Sequence, residues 1–461
     1  MSSSSTSFEP QKPTVLIVGG GLSGLLLGLL LERIDVPYHI YERAVSVKPL
    51  GSAMALGPNI LSVFEQLGIL EEFKKIALPY RSVEMYDEDL KKLGAINMDG
   101  HEKLLGYETY LFARPRLYEV FLRHVPHHKI SFGKKVLRTV EENGGVFIHC
   151  ADGTVYEGDI IVGADGTYSG VRQSLYKKMD AAGILPKSDL KDFDIGSVIM
   201  VGVARPTDLD KFPALKDNFS RFTSTMSKAS DRGWCLMSAP DNEICWSAST
   251  GLPKSSGQLQ LFRNSEWGPE SIDAMYKEYE DKPTPWGCTM GDVFRATPRE
   301  LISKVFVEEK MFKTWYHGRT VLIGDACHKM LPGAGLGAVN AMHDSIVLAN
   351  CIYNMEDVTP KSIKAAFEEY YRQRFPRLNA HFQRSRQITA AFGGKTRIQK
   401  FYRHLILNYI PKWLADWGTV KSMEYRPQIA WLPLIPNRGT GYVLPQEGRR
   451  IEDREKPKSS V

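Results

Sequence analysis

The sequence has few cysteines, and they follow no metal-ligand or redox spacing. Six are present, with no CxxC pair among them, so neither a common zinc motif nor a thioredoxin-like motif is predicted. The first thirteen residues lack the basic region and apolar stretch of a secretory signal. We therefore expect reduced thiols, a cytoplasmic protein and no metal site.

The sequence also lacks a strong charge of either sign. Its net charge is +6, and no Lys/Arg-rich segment or nucleic-acid module is present, so no nucleic-acid partner is expected. Val15–Leu31 is free of charged residues and could be mistaken for a membrane span. Its internal glycines favour a buried strand followed by a packed helix.

That uncharged run contains a glycine motif typical of phosphate binding. Gly19-Gly20-Gly21-Leu22-Ser23-Gly24 follows the apolar segment Thr14–Val18. Gly19 would permit a tight turn, Gly21 would let a pyrophosphate approach the backbone, and Gly24 would allow close packing of helix on strand. Glu42, at the end of the next predicted strand, can accept hydrogen bonds from ribose hydroxyls. The β-α-β unit predicts a dinucleotide but does not separate FAD from NAD.

Two further motifs follow buried strands later in the chain. One is the segment GADGTYSGVR over residues 163–172, and the other is Gly324-Asp325-Ala326-Cys327-His328. The second continues through a glycine-rich loop, Pro332–Ala338, into a predicted helix that carries Asp344. A helix cap by Ser169 is the structural alternative for the first of these motifs.

In this order the three motifs resemble the FAD-dependent aromatic hydroxylases, the p-hydroxybenzoate-hydroxylase-like (group A) flavoprotein monooxygenases that include zeaxanthin-epoxidase-type enzymes. The chain looks like the fungal secondary-metabolism branch. The resemblance spans about residues 14–348, with a weakly matching sheet inside it. It implies FAD as cofactor. The cofactor-binding residues it implies, together with those of the first motif, are Gly19, Gly21, Ser23, Gly24, Glu42, Arg43, Arg114, Asp165, Gly166, Asp325, Pro332, Gly335, Gly337 and Ala338.

The resemblance also implies a layout around the flavin. Asp325 would bind ribityl or ribose hydroxyls, Pro332 would lie beside the isoalloxazine, and the glycine-rich loop would donate N–H groups to the pyrimidine ring. Arg114 is favoured over Arg116 as the arginine near the flavin, and a surface salt bridge is the alternative for either. His328 looks structural. No catalytic acid or base can be assigned.

Two residues depart from the family pattern. Leu336 stands where glutamine is common, and His343 stands where glutamate is common. Both positions are peripheral to the backbone contacts, so they put details in doubt rather than FAD binding.

The fold class expected is α/β: a Rossmann-like FAD-binding domain, an interleaved and mostly antiparallel β-sheet substrate domain, and a C-terminal helical region. The FAD-binding domain is predicted over residues 14–75, 101–185 and 302–355, and the substrate domain over 76–100 and 186–301. Residues 356–445 are expected to form the helical and proline-rich region. Residues 1–13 and 446–461 are expected to be disordered.

The reaction that the resemblance implies is monooxygenation. NADPH or NADH would reduce FAD transiently, O2 would form a flavin C4a-hydroperoxide, and one oxygen atom would pass to an aromatic ring or an alkene. A lipophilic small molecule is expected as substrate. The alternatives are a flavin-dependent reductase of an isoprenoid alkene and a non-catalytic flavin-binding protein. The choice of nicotinamide cofactor, and of monomer or homodimer, stays open.

Two structural expectations remain. The candidates to line the substrate cavity are Phe222, Trp234, Met237 and Trp246, although each residue type is more often plain core. In the C-terminal region, residues 401–417 mix aromatic and basic side chains. They are expected to pack as a helix on the flavin domain, and peripheral contact with a membrane surface is the alternative.

Overall fold

A computed structural model describes residues 12–47, 49–228, 231–252, 269–332, 335–392 and 396–448. Most of the two terminal segments predicted to be disordered lies outside these residues. The strands are β1 Val15–Val18, β2 Tyr38–Tyr41, β3 Ala53–Leu56, β4 Leu78–Asp87, β5 Lys92–Asn97, β6 Tyr110–Ala113, β7 Ile130–Ser131, β8 Val136–Glu142, β9 Gly145–Cys150, β10 Val155–Gly158, β11 Ile160–Gly163, β12 Asp194–Ala204, β13 Ser220–Met226, β14 Arg232–Ala239, β15 Glu243–Gly251, β16 Ser303–Met311, β17 Tyr316–His317, β18 Thr320–Leu322 and β19 His328–Lys329.

The helices are α1 Leu22–Glu32, α2 Pro58–Gln66, α3 Leu70–Lys75, α4 His101–Leu105, α5 Arg114–Arg123, α6 Gly170–Ala181, α7 Pro269–Tyr279, α8 Met290–Arg295, α9 Gly337–Tyr353, α10 Pro360–Phe392, α11 Arg397–Tyr409 and α12 Lys412–Met423. Among the described residues no helix is both long enough and apolar enough to cross a membrane. The uncharged run near the N-terminus is β1 followed by α1.

A six-stranded sheet lies at the centre of the nucleotide-binding region. Its order is β17-β18-β11-β1-β2-β7, and the neighbours from β18 to β7 are parallel. Every residue of β1 and β11 is buried, as expected for strands covered by helices on both faces. The mixed α/β architecture predicted from the motifs is confirmed.

The second large sheet has the order β19-β16-β12-β15-β14-β13-β4-β6-β3, with β5 paired to β4. Its strands pair antiparallel except β13 and β4, which are parallel. Successive side chains of a strand point to opposite faces, so this sheet has two faces of different character.

One face of the ten-stranded sheet is covered by α7 and α8. Trp234 and Trp246 belong to the buried cluster on this face. The indole N–H of Trp234 donates to Pro283 O at 3.0 Å, and that of Trp246 donates to Thr297 Oγ1 at 2.9 Å. Both side chains are therefore structural core, and the expectation that they line a substrate cavity is wrong.

The opposite face of the sheet lies toward the nucleotide-binding region. Met237 and Cys245 pack there with Leu111 and Ala113 of β6, and Phe222 packs against the same cluster. We call this side of the sheet the open face. Strand β6 runs directly into α5, which begins at Arg114, so the open face adjoins the cofactor motifs.

Candidate cofactor site

The three sequence motifs meet at one edge of the parallel sheet. Each motif follows the carboxyl end of its strand, and the backbone hydrogen bonds between neighbouring strands extend to the motif residues. The Ala164 N–H donates to Val18 O at 2.8 Å, and the Ile323 N–H donates to Gly163 O at 3.0 Å. The carboxyl edge of such a sheet, beside a strand-to-helix turn, is where dinucleotides bind in α/β folds.

The glycines of the first motif do three different things. Gly19 has φ +108°, and a Cβ there would lie 2.4 Å from Ala164 O. A Cβ on Gly24 would lie 2.0 Å from Gly19 O, so helix and strand touch through their backbones. A Cβ on Gly21 would meet nothing within 4 Å. Open space lies at Gly21, beside a helix N-terminus that no side chain caps, and this geometry suits a phosphate.

Glu42 braces the first turn from the end of β2. Its Oε2 accepts the Gly20 N–H and its Oε1 accepts the Ala44 N–H, both at 2.8 Å. A carboxylate oxygen can accept more than one hydrogen bond, so ribose hydroxyls could still bind there. Arg43 is exposed at this end of β2, whereas Ser23 is buried and its carbonyl accepts the Ser345 hydroxyl at 2.8 Å.

The second motif places a half-buried carboxylate, Asp165, at the start of α6. One oxygen of Asp165 accepts the Val171 N–H at 3.1 Å, and the other is buried without a hydrogen-bond partner within the described part of the chain. Burial raises the pKa of this carboxyl. Gly166 has φ +79°, and Ser169 caps α6 by accepting the Arg172 N–H at 2.9 Å. Ser169 is therefore the helix cap that the sequence suggested as an alternative.

Arg172 joins the second motif to the third. Its guanidinium is buried and donates to Ala326 O and Thr167 O, both at 2.8 Å. It also lies over the Phe312 ring at 4.3 Å from the centroid. The only sequence signal for a role of Arg172 is its place in the matched segment GADGTYSGVR.

Asp325 lies within reach of two donors. Its Oδ2 accepts from Lys329 Nζ at 2.5 Å and from Thr167 Oγ1 at 3.4 Å. Burial alone would raise the pKa of Asp325, but the charge and hydrogen bond of Lys329 and the nearby Arg114 outweigh it and lower that pKa. The side chain is therefore an ionised acceptor at neutral pH.

The two arginines at the start of α5 point to different partners. Arg116 pairs with Glu243 at 2.8 Å and with Asp241 at 3.0 Å, so it ties α5 to the ten-stranded sheet. Arg114 is exposed beside Gly51, whose Cβ would lie 3.3 Å from its Cδ, and it acts on Asp325 electrostatically. The salt-bridge alternative therefore holds for Arg116, and Arg114 faces the motif edge.

The glycine-rich loop leads into α9. Pro332 and Gly335 are exposed, Gly335 has φ +64°, and residues 333–334 lie outside the described residues. Helix α9 begins at Gly337, followed by the half-buried Ala338, and no side chain caps it. Two uncapped helix N-termini, those of α1 and α9, thus lie near the motif edge, and each favours negative charge.

A buried ion pair fixes α9 against the third motif. Asp344 Oδ2 accepts from the Gly324 N–H at 2.9 Å and from His328 Nε2 at 2.5 Å, while Oδ1 accepts from Arg374 Nε at 2.7 Å. Burial would raise the pKa of Asp344, but the charges of His328 and Arg374 lower it. Cys327, His328 and Asp344 lie close enough to suggest metal ligands, yet these hydrogen bonds already account for the carboxylate.

Arg374 comes from the C-terminal region, for which the sequence predicts no site residue. It also donates to the carbonyl and side-chain oxygens of Asn340, each at 3.1 Å. The only sequence signal for it was Asp344 itself, because a carboxylate in an apolar helix needs a buried cation.

The two departures from the family pattern are both buried. Leu336 packs with Met330 and Phe382. The His343 Nε2 lies 2.8 Å from Asn59 O, and burial lowers the pKa of His343 to about 3, so its ring is neutral.

These residues fit FAD in several respects. Gly21 and its helix N-terminus could hold the pyrophosphate, Glu42 and Asp325 could accept from sugar and ribityl hydroxyls, and the start of α9 could face the negative pole of a reduced flavin. The unpartnered oxygen of Asp165 is a further acceptor at the same edge.

Comparison with known proteins agrees with this geometry. The family model described as "FAD binding domain" matches residues 12–385. FAD-dependent monooxygenase esdpE of Penicillium shearii is 26% identical over 93% of this chain and 88% of its own length. FAD-dependent monooxygenase ptmM of Penicillium ochrochloron is 27% identical over 81% and 87%. The chain belongs to the FAD binding domain family and is an FAD-dependent monooxygenase.

Solved structures share the fold at low identity. HpxO of Klebsiella pneumoniae, complexed with FAD and uric acid, aligns with a TM-score of 0.71 at 20% identity, over 89% of this chain and 96% of that one. The 2,6-dihydroxypyridine-3-hydroxylase of Arthrobacter nicotinovorans aligns with a TM-score of 0.66 at 18% identity, over 84% and 94%. The family match extends past the expected end near residue 348 and includes Arg374.

Proposed function

We propose that the enzyme uses FAD, reduced by NADPH or NADH, and O2 to hydroxylate or epoxidise a neutral, lipophilic aromatic or alkene small molecule. Bound FAD supplies the activation of oxygen. The protein supplies orientation, exclusion of water and a surface that recognises the substrate.

The observation that carries the substrate class is the composition of the open face. On this face, next to the side chains that pack on β6, a second row of cross-strand neighbours runs over five strands. Its members are Val201, Ser247, Cys235, Ser224 and Met85. These side chains range from buried to half-buried.

This row holds apolar groups, two hydroxyls and one thiol, and none of its five side chains is ionised. An apolar wall with a few neutral hydrogen-bonding groups is typical of a site for an uncharged ligand. A carboxylate substrate would need a cation to balance its charge.

The chain's residues have separate tasks in this scheme. Gly21 and the start of α1 bind phosphate, Asp325 fixes the hydroxyls of the cofactor, and the start of α9 stabilises negative charge on the reduced ring. Asp344 and Arg374 are positioning residues, because they hold α9 and the third motif together without facing the open face.

Labelled oxygen tests the reaction directly. The purified protein with FAD, NADPH and 18O2 is incubated with fractions of a lipophilic metabolite extract, and product masses are measured. We expect one labelled oxygen atom in a product. A product that gains two hydrogens under anaerobic conditions, with no labelled product under 18O2, would instead identify a reductase.

Cofactor binding is tested at Asp325. Asp325→Ala should purify without FAD. Asp210→Ala, which removes an exposed carboxylate paired with Lys216, is the control and should keep FAD. Retention of stoichiometric FAD by the Asp325 variant would contradict its proposed role.

A further inference from the structure

The C-terminal helices carry an apolar surface that faces solvent. Among the described residues, 22 large hydrophobic side chains are exposed, and nine of them lie within twenty residues of the sequence. These nine, here called the aromatic patch, are Ile398, Phe401, Tyr402, Ile406, Tyr409, Ile410, Trp413, Leu414 and Trp417. Such a concentration differs from the single exposed apolar residues found on any protein surface.

Helix α11 is turned with its apolar side outward. Ile398, Tyr402 and Tyr409 are 67%, 57% and 68% exposed and lie on one side of the helix. The opposite side contacts the protein, where Leu407 lies over Gly94, whose Cβ would approach it within 2.6 Å. An amphipathic helix packed on its own core would bury the apolar side instead.

Polar contacts hold the two helices in this orientation. The Asn408 side chain donates to Leu93 O at 2.9 Å, and Arg403 Nη1 lies 3.0 Å from Met226 Sδ. For α12, the Gly418 carbonyl accepts from Arg384 at 3.2 Å. The aromatic patch is thus presented by anchored helices.

The charges around the aromatic patch are mainly positive. Residues 397–417 contain four lysines and arginines and one acidic residue, Asp416. Asp416 is paired with Lys412 at 3.0 Å, so four basic residues and one acidic residue give this segment a net charge of +3, which comes from α11.

The aromatic patch also adjoins the substrate-facing sheet. Gly94 pairs with Met85, Met85 with Ser224, and Ser224 with Cys235. Leu407, which contacts Gly94, therefore lies at the outer end of the same row that forms the open face.

We propose that α11 and α12 form a membrane-interface anchor that rests on the surface of an anionic phospholipid bilayer. Tryptophan and tyrosine are favoured at the level of lipid headgroups, and an amphipathic helix with flanking basic residues binds in the plane of that interface. The anchor would hold the outer end of the open face against the membrane. Binding to lipid does not depend on the proposed reaction, whereas uptake of a lipophilic substrate from the membrane does.

Vesicle flotation with the FAD-loaded full chain tests the anchor. We expect flotation with phosphatidylcholine vesicles containing 30% phosphatidylserine, and less with phosphatidylcholine alone. Trp413→Ser/Trp417→Ser should lower the partition coefficient at least tenfold. Arg397→Glu/Lys400→Glu should lower it on anionic vesicles by roughly fivefold for each charge lost.

The matched control replaces exposed apolar residues elsewhere. Leu137 and Ile184 are 57% and 53% exposed and lie far from α11 in sequence, so Leu137→Ser/Ile184→Ser should float like the native protein. Flavin content and circular dichroism of every variant check the fold.

Three results would overturn the anchor. Absence of flotation on anionic vesicles is the first, and equal loss in the control variant is the second. The third is a dimer in light scattering that Trp413→Ser/Trp417→Ser dissociates, because it would assign the aromatic patch to a second copy of the chain. The 18O2 labelling assay with the lipophilic extract fractions is run in parallel without vesicles. Labelled product without flotation would overturn the anchor alone, and flotation without labelled product in any fraction would overturn the proposed reaction alone.

Discussion

The two surfaces that adjoin each other in this enzyme are built in different ways. The motif edge of the parallel sheet presents backbone N–H groups, glycines and helix N-termini, with few side chains. The open face of the ten-stranded sheet presents side chains from five strands. A site formed by backbone groups consists of consecutive residues. A site formed by neighbouring side chains across several strands consists of residues that are far apart in sequence. The residues that recognise the cofactor could therefore be inferred from the sequence, whereas those that face the substrate required the structure.

The largest expected effect is a difference in stability between substitutions on the two faces of the ten-stranded sheet. Trp246→Ala should lower the free energy of unfolding by about 3–5 kcal/mol, because it leaves a cavity in the core beneath α8. Ser247→Ala, one residue away on the open face, should change stability by less than about 0.5 kcal/mol and change KM for the substrate. Urea denaturation and steady-state kinetics measure both. A large loss of stability in the Ser247 variant would remove the distinction between the faces.

A matched pair of glycines tests the motif edge. Gly24→Ala places a Cβ 2.0 Å from Gly19 O and should lower apoprotein stability by about 1–3 kcal/mol. Gly21→Ala meets nothing within 4 Å and should leave the apoprotein unchanged while weakening FAD binding. Thermal denaturation and flavin titration give the two readouts. Normal FAD affinity in Gly21→Ala would show that the open space does not hold the pyrophosphate.

A second matched pair concerns the arginines at the start of α5. Arg114→Gln should weaken FAD binding or lower kcat roughly tenfold, the effect of losing one charge-assisted hydrogen bond. Arg116→Gln breaks the contact with Glu243 and should act on stability, with flavin affinity unchanged. Flavin titration and turnover distinguish them, and the reverse pattern would exchange the two roles.

The smallest effect is a pH dependence at His343. The pKa of His343 is about 3 in the folded chain and near 6.5 for an ordinary histidine. As the pH falls, this side chain is therefore protonated in the unfolded state before it is protonated in the folded state. Its contribution to stability is full above about pH 6.5 and is lost as pH falls toward 3. His343→Gln should reduce the fall in melting temperature between pH 7 and 4. His404→Gln, at an exposed histidine, is the control and should leave that slope unchanged.

His381 contributes to the same loss of stability at acid pH, because burial lowers its pKa to about 4. Replacing His343 alone should therefore remove only part of the fall in melting temperature between pH 7 and 4. An unchanged slope in His343→Gln would show that this histidine is solvated or protonated in the folded chain.

The sequence by itself determined the parallel sheet, the place of the motifs on it and the family. Gly19, Asp165 and Asp325 could be read locally, because a turn at a strand end is set by its own few residues. The outward orientation of α11 could not be read in this way, since an amphipathic pattern does not say which side meets the protein.

Tertiary structure alone decided which aromatic residues are core and which cation balances Asp344. Trp234 and Met237 are three residues apart in β14, and strand alternation sends them to opposite faces. Sequence shows that alternation but not which face a helix covers. Likewise Arg374 meets Asp344 only because α10 packs on α9, thirty residues further along the chain. Such pairings depend on long-range packing, which the order of residues encodes only through the whole fold.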